Sequence, residues 1–174
     1  MDVQTIVTKL SERFPDGVVE TSTANAEATV VVKRDALKDV LAFVKTDAEL
    51  DCDFFSFVTA VDHHPKVPRF EAVYEVYSIR LKHLIRIKTR ITEEDARVPS
   101  VVGVYRGANW HEREAYDLFG IVFEGHPDLR RIVLPTNWDG HPLRKEYSAQ
   151  GEIVWNLGKN VLPDYDREAE ETTI

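Results

Sequence analysis

Apolar side chains recur at Val3, Ile6, Val7, Leu10 and Phe14, the spacing of a helix with one buried stripe, and Pro15-Asp16-Gly17 closes it as a turn. Two short strands are predicted near residues 18–23 and 27–33, with Asn25 at the turn between them. Asp35 is placed to cap a second helix whose stripe is Leu37, Val40, Leu41 and Val44. From Cys52 the period changes. Residues 54–61 form a β run, "DHHPKVPR" is a proline-rich connection, and residues 70–80 and 83–91 alternate with period two. The last two segments read as an antiparallel pair. "TEEDARVPS" holds at most a helical turn before Pro99.

The next helix has both ends marked. Asn109 followed by Glu112 has the spacing of a capping box, and Gly120 stands where a left-handed stop is cheapest. On a helical wheel Trp110, Arg113, Glu114 and Asp117 share one arc. His111, Glu112, Ala115, Tyr116, Leu118 and Phe119 share the other, which is the expected core face. Arg113 and Asp117 then form an i, i+4 pair in solvent, contributing about 0.3–0.5 kcal/mol. Trp110 beside Arg113 is also the composition of an interface anchor.

The pattern thus predicts an α+β fold: an antiparallel sheet with helices packed on one face, spanning residues 1–123, followed by an extended irregular C-terminal arm over 124–174. Beyond Glu124 the chain is punctuated by Gly125-His126-Pro127, Leu134-Pro135, Gly140-His141-Pro142 and Leu162-Pro163, without a stripe of either period. Some fifty irregular residues are too many for an ordinary loop. Ile132, Val133, Leu134, Trp138, Leu143, Tyr147 and Trp155 are too apolar for a solvated tail. A surface on a partner protein resolves the conflict, the alternative being a coil packed back on its own domain. The final "DREAEETTI" is acidic and expected to fray.

Composition narrows the chemistry. The 174 residues carry 30 acidic against 22 basic side chains, a net charge of −8, which disfavours a nucleic-acid surface. One cysteine, Cys52, excludes a disulfide framework and an iron–sulfur cluster held by this chain alone, and fits a reducing compartment. The first fourteen residues resemble neither a signal nor a transit peptide, and the longest apolar run is far below the ~18 residues of a membrane span. Membrane association is therefore expected to come through partners.

Candidate catalytic patterns fall one by one. His111-Glu112 lacks the second histidine of a zincin, since position 115 is alanine. His111 with Glu114 supplies only two ligands. Asp62-His63-His64 reads as a polar turn, and His126 and His141 have no carboxylate or cysteine repeated beside both. Gly103 and Gly107 precede a helix, but no Lys-Ser/Thr follows and two glutamates in its first turn would repel an anion. No serine has a nucleophile-elbow setting. Arg130, Arg131, Arg144 and Lys145 concentrate the positive charge and read either as scattered solvated bases or as contacts for a partner's carboxylates.

The stretch "ANWHEREAYDLFGIVFEGHPDLRRIVLP", followed by "NWDGHPLRKEY", resembles the signature region of the thirty-kilodalton (C) subunit of proton-translocating NADH:quinone oxidoreductase, respiratory complex I. The match runs through Glu112-Arg113-Glu114, Tyr116-Asp117, Phe119-Gly120, Gly125-His126-Pro127, Arg131, Trp138 and Pro142 to Tyr147. It departs slightly at Val133 and Glu146, and weakens back to about Phe54. The first fifty and last twenty-five residues carry no usable match.

The resemblance implies a structural subunit without a redox centre, in the peripheral arm on the cytoplasmic face of a bacterial inner membrane. It would dock on the forty-nine-kilodalton-type (D) subunit that helps form the quinone site. FMN, iron–sulfur clusters and quinone would be held elsewhere in the complex, with no cofactor, metal or catalytic residue on this chain. Trp110, Glu112, Arg113, Glu114, Asp117, His126, Arg131, Trp138, Arg144, Lys145 and Tyr147 are the expected partner-binding residues. Two other readings remain: the equivalent subunit of a membrane-bound hydrogenase complex, and a stand-alone metal-dependent hydrolase using His63, His64 or His126.

Overall fold

A computed structural model describes residues 2–147. Trp155 and the acidic tail lie outside the described residues. Helix α1 (Val3–Arg13) is followed by β1 (Val18–Ser22), β2 (Ala28–Val32), α2 (Leu37–Thr46), β3 (Phe54–Asp62), β4 (Phe70–Ser78), β5 (His83–Ile91), β6 (Arg97–Pro99), α3 (Ala108–Phe119) and β7 (Val122–Glu124). The α1 stripe buries Ile6, Val7 and Leu10, and the α2 stripe buries Leu37, Val40, Leu41 and Val44, as their spacing requires. Each such side chain contributes about 1.5–3 kcal/mol on leaving water.

Five strands form one sheet in the order β1-β2-β5-β4-β3. Three of its four pairings are antiparallel, but β2 and β5 run parallel, with Val30 opposite Ile87. The chain leaves β2, crosses through α2, and enters at the far edge as β3. The β3-β4-β5 meander then brings β5 back beside β2 pointing the same way. Periodicity along single strands does not encode that return.

Alternate residues of the sheet, among them Val30, Val58, Ala72, Tyr74, Val76, Ile85 and Ile87, face the same apolar cluster as all three helices. The opposite face carries matched charges: Arg86 with Glu75 and Glu27 at 2.9 and 2.6 Å, Lys88 with Glu71 at 2.8 Å, and Arg90 with Glu20. A sheet packed on one side and solvated on the other has this alternation.

Three local expectations are corrected. Asp35 caps nothing: a 3-10 turn over Arg34–Ala36 leads into α2, whose N-cap is Ala36 without a side-chain hydrogen bond. The stretch expected to hold at most a helical turn does turn over residues 93–95, but it then forms the unpredicted strand β6 through Pro99, paired in parallel with β7 and stitched by that remote partner rather than by local propensity. The Asn109–Glu112 capping box does not form: α3 starts at Ala108 with Gly107 as N-cap, because Glu112 is engaged in the interior.

Gly120 ends α3 as expected, at φ 76°. A Cβ there would lie 2.5 Å from the His141 ring and 2.6 Å from Arg144 Nη2, so both the left-handed backbone and the packing demand glycine.

Candidate partner-docking surface

Helix α3 carries three charged groups into the interior. Glu112 is fully buried, and its two oxygens accept the Ser100 hydroxyl at 2.6 Å and the Val101 N–H at 2.7 Å. Burial pushes this carboxyl up to about 7, which those two donors only partly offset. The helix is thereby tied to the loop that precedes it.

Arg113 and Asp117 do not pair with each other in solvent. They are 7% and 0% exposed, because residues 128–134 lie across the arc that the helical wheel leaves open. Arg113 donates to the carbonyls of Arg130 and Arg131 at 3.1 and 3.2 Å. Asp117 Oδ2 accepts three successive backbone N–H groups, from Ile132, Val133 and Leu134, at 2.9, 2.8 and 2.9 Å. Its other oxygen accepts Arg131 Nη1 at 2.6 Å. Burial opposes the charge, but these donors outweigh it and hold the Asp117 carboxyl below the usual range.

Arg131 is held from both sides, since Nη2 also donates to the carbonyls of Trp138 and Gly140 at 3.1 Å each. Trp138 is half-buried over this turn. His126 Nδ1 accepts the Asp128 N–H at 2.9 Å, so Nε2 is the donor to the Asn109 carbonyl at 3.1 Å. Arg144 Nε donates to the Phe119 carbonyl at 2.7 Å, with its guanidinium 5.2 Å from the Phe70 ring centre. The Tyr147 hydroxyl donates to the Asp139 carbonyl at 3.2 Å.

A second anchor was not legible in the sequence. Arg69, 5% exposed, donates through Nε and Nη2 to the two oxygens of equally buried Asp62 at 3.1 and 2.8 Å. It also bonds Glu93 at 2.5 Å and Glu146. Asp62 Oδ2 accepts the Lys145 N–H at 2.8 Å as well, while the Lys145 side chain stays exposed. Asp62 reads as part of a histidine turn and Arg69 as the end of a proline-rich connection. The available signal was their position at the two strand ends of one hairpin.

Of the expected partner-binding residues, Glu112, Arg113, Asp117, Arg131 and Arg144 spend their polar groups within the chain. Trp110 and Glu114 remain outward on α3, and Lys145 outward at the end of the described segment. Trp110 (64% exposed), Val133 and Leu143 are the large apolar side chains left in solvent along this outer layer.

No group of three histidine, cysteine, aspartate or glutamate side chains is arranged for a metal ion among the described residues, where His63 meets Glu71 at 3.9 Å. No helix there is long and apolar enough to cross a membrane.

The family described as respiratory-chain NADH dehydrogenase, 30 Kd subunit, matches residues 30–153. The C subunit of NADH-quinone oxidoreductase from Geotalea uraniireducens is 46% identical over 145 residues, spanning 83% of this chain and 87% of that protein. Its counterpart in Roseiflexus castenholzii is 39% identical over 154 residues, 88% of each. Among solved structures, the trypsin-resistant fragment (1–134) of Nqo5 superposes with a TM-score of 0.64 at 29% identity, covering 74% of this chain and all of the fragment. A chain of the membrane-bound sulfane sulfur reductase, an archaeal respiratory membrane complex, gives 0.71 at 26% identity over 94% of this chain and 96% of that one. With most of its length matched by the family and by relatives of this closeness, the chain belongs to the thirty-kilodalton subunit family of respiratory-chain NADH dehydrogenase, and is a subunit of an oxidoreductase complex.

Proposed function

We propose that this chain is a structural, non-redox subunit of the peripheral arm, docking on the forty-nine-kilodalton-type subunit near the quinone site. The layer formed by α3 and residues 125–147 is the docking face. One observation carries this reading: the buried charges of that layer, Glu112, Arg113 and Asp117, are satisfied inside the chain, while Trp110, Val133 and Leu143 stay exposed. An apolar surface held rigid by buried polar ties is pre-organised for a protein partner, and ordering it on binding costs little. Electron transfer and quinone access then depend on the geometry it maintains. FMN, iron–sulfur clusters and quinone belong to other subunits, and the peripheral arm lies on the cytoplasmic side of a bacterial inner membrane.

The trypsin resistance of the Nqo5 fragment supports a stable domain over the part of this chain that it matches. Limited proteolysis tests it here. The isolated chain is expected to be cut between Glu124 and Glu171, and the quinone-site partner to protect that region. Equal susceptibility with and without the partner overturns the reading.

The likeness to the archaeal complex keeps open the equivalent place in a related membrane-bound complex. The adjacent genes separate the two: NADH- and FMN-binding subunits favour the first, and a partner with nickel-site cysteines favours a hydrogenase.

A further inference from the structure

We propose that Trp110 and Glu114 together receive one arginine side chain of the partner subunit. The inference rests on the docking reading and names the chemistry at its centre. The two residues are one turn apart on α3, spaced i, i+4, so their side chains stand next to each other on the helix surface. Both are exposed.

The indole is held in place from behind. The Arg113 guanidinium lies 5.2 Å from the centre of the Trp110 ring and is itself fixed by the carbonyls of Arg130 and Arg131. One face of the ring is thus backed by a nearly buried cation, and the remainder is presented to solvent in a set orientation.

The Glu114 carboxylate accepts no hydrogen bond among the described residues, and the side-chain nitrogen nearest to it is Nδ1 of the His111 imidazole at 4.0 Å. A carboxylate covered by a partner without a counter-charge is strongly unfavourable, so an interface over α3 has to bring a cation to this point.

Arginine fits the pair better than lysine. Its aliphatic stem covers the exposed part of the indole, and its planar fork meets the Glu114 carboxylate in two parallel hydrogen bonds. Lying over Glu114 rather than over the ring centre, the incoming guanidinium also stays clear of Arg113. The net charge of −8 favours a basic partner surface in the same way. The open face of the sheet is a weaker candidate, because Arg86, Lys88 and Arg90 are already matched there.

The test is calorimetric titration of the full chain with the quinone-site subunit at several salt concentrations. Glu114→Gln is expected to weaken binding about five- to twentyfold and to flatten its salt dependence. Trp110→Ala is expected to weaken it by about tenfold or more, with Trp110→Phe recovering most of the loss. The thermal midpoint of Glu114→Gln should match the parent chain.

The double variant Val133→Asp with Leu143→Asp is the reference for docking itself. If it fails to bind while Glu114→Gln binds within about twofold of the parent, the arginine site is wrong and docking stands. Weakening by Glu114→Gln with an unaltered salt slope also overturns the arginine site. If the double variant binds like the parent, the docking face is wrong and the site falls with it.

Discussion

The Asp117 carboxylate and the Arg131 guanidinium meet at 2.6 Å beneath the surface, and the same carboxylate draws in the N–H groups of Ile132, Val133 and Leu134. An irregular segment acquires one shape here because a single anion satisfies four donors at once. The exposed Val133 side chain is presented outward as a consequence.

Asp117→Asn tests this arrangement. The amide cannot accept from both sides, so its NH2 group faces either Arg131 or the three N–H donors. A loss of about 2–4 kcal/mol in unfolding free energy is expected from a charged, buried network of this kind. The local signature is sharper than the global one: trypsin should cleave after Arg130 and Arg131 faster in the variant than in the parent chain. Unchanged cleavage at those two bonds would show that the segment is held by other contacts.

Glu112 predicts an unusual pH dependence. Burial raises its carboxyl to about 7, above the ordinary value of about 4.3 that it regains on unfolding. The folded state therefore holds the proton where the unfolded state has released it. This stabilising contribution is complete below about pH 4.3 and is lost as pH rises through about 7. Glu112→Gln removes the titration while keeping an oxygen for the Val101 N–H and an amide for the Ser100 hydroxyl. Relative to the parent, the variant should gain up to roughly 3 kcal/mol between pH 5 and 8. Urea midpoints at pH 5, 6, 7 and 8 measure it, and parallel curves for the two proteins would refute it.

Local pattern was sufficient where one element decides its own burial. The stripes of α1 and α2 and the alternation of β4 and β5 each name the residues that reach the core. It was insufficient wherever a remote segment intervenes. Asn109 and Glu112 have the spacing of a cap, yet Ser100 and Val101 offer Glu112 stronger partners inside. Arg113 and Asp117 have the spacing of a solvated pair, yet residues 128–134 cover them. A helical wheel treats its helix as isolated, so it cannot register a strap of chain laid over the polar arc. The β2–β5 pairing was hidden for a related reason, since strand direction depends on how many crossings separate two strands. Gly120, by contrast, was legible because a positive φ is a local demand.

Arg69 is the second anchor of residues 144–147, and its removal predicts a response of opposite sign to that of Glu112. The hydrogen bonds from its guanidinium are the main reason the Asp62 carboxyl sits far below the ordinary carboxylate range, against the opposing effect of burial. That stability is complete above the unfolded value of about 3.9 and is lost as pH falls below it. Arg69→Gln leaves Asp62 buried with only the N–H groups of His64 and Lys145, and is expected to cost about 3–5 kcal/mol at pH 7. The missing charge pair is what acid would otherwise titrate away, so the gap between parent and variant should narrow as pH falls from 5 to 3. Guanidinium-induced unfolding of both proteins across that range measures the gap. A gap of constant size would mean that Arg69 acts by packing against the Phe70 ring, 4.8 Å from its centre, rather than by holding the Asp62 charge.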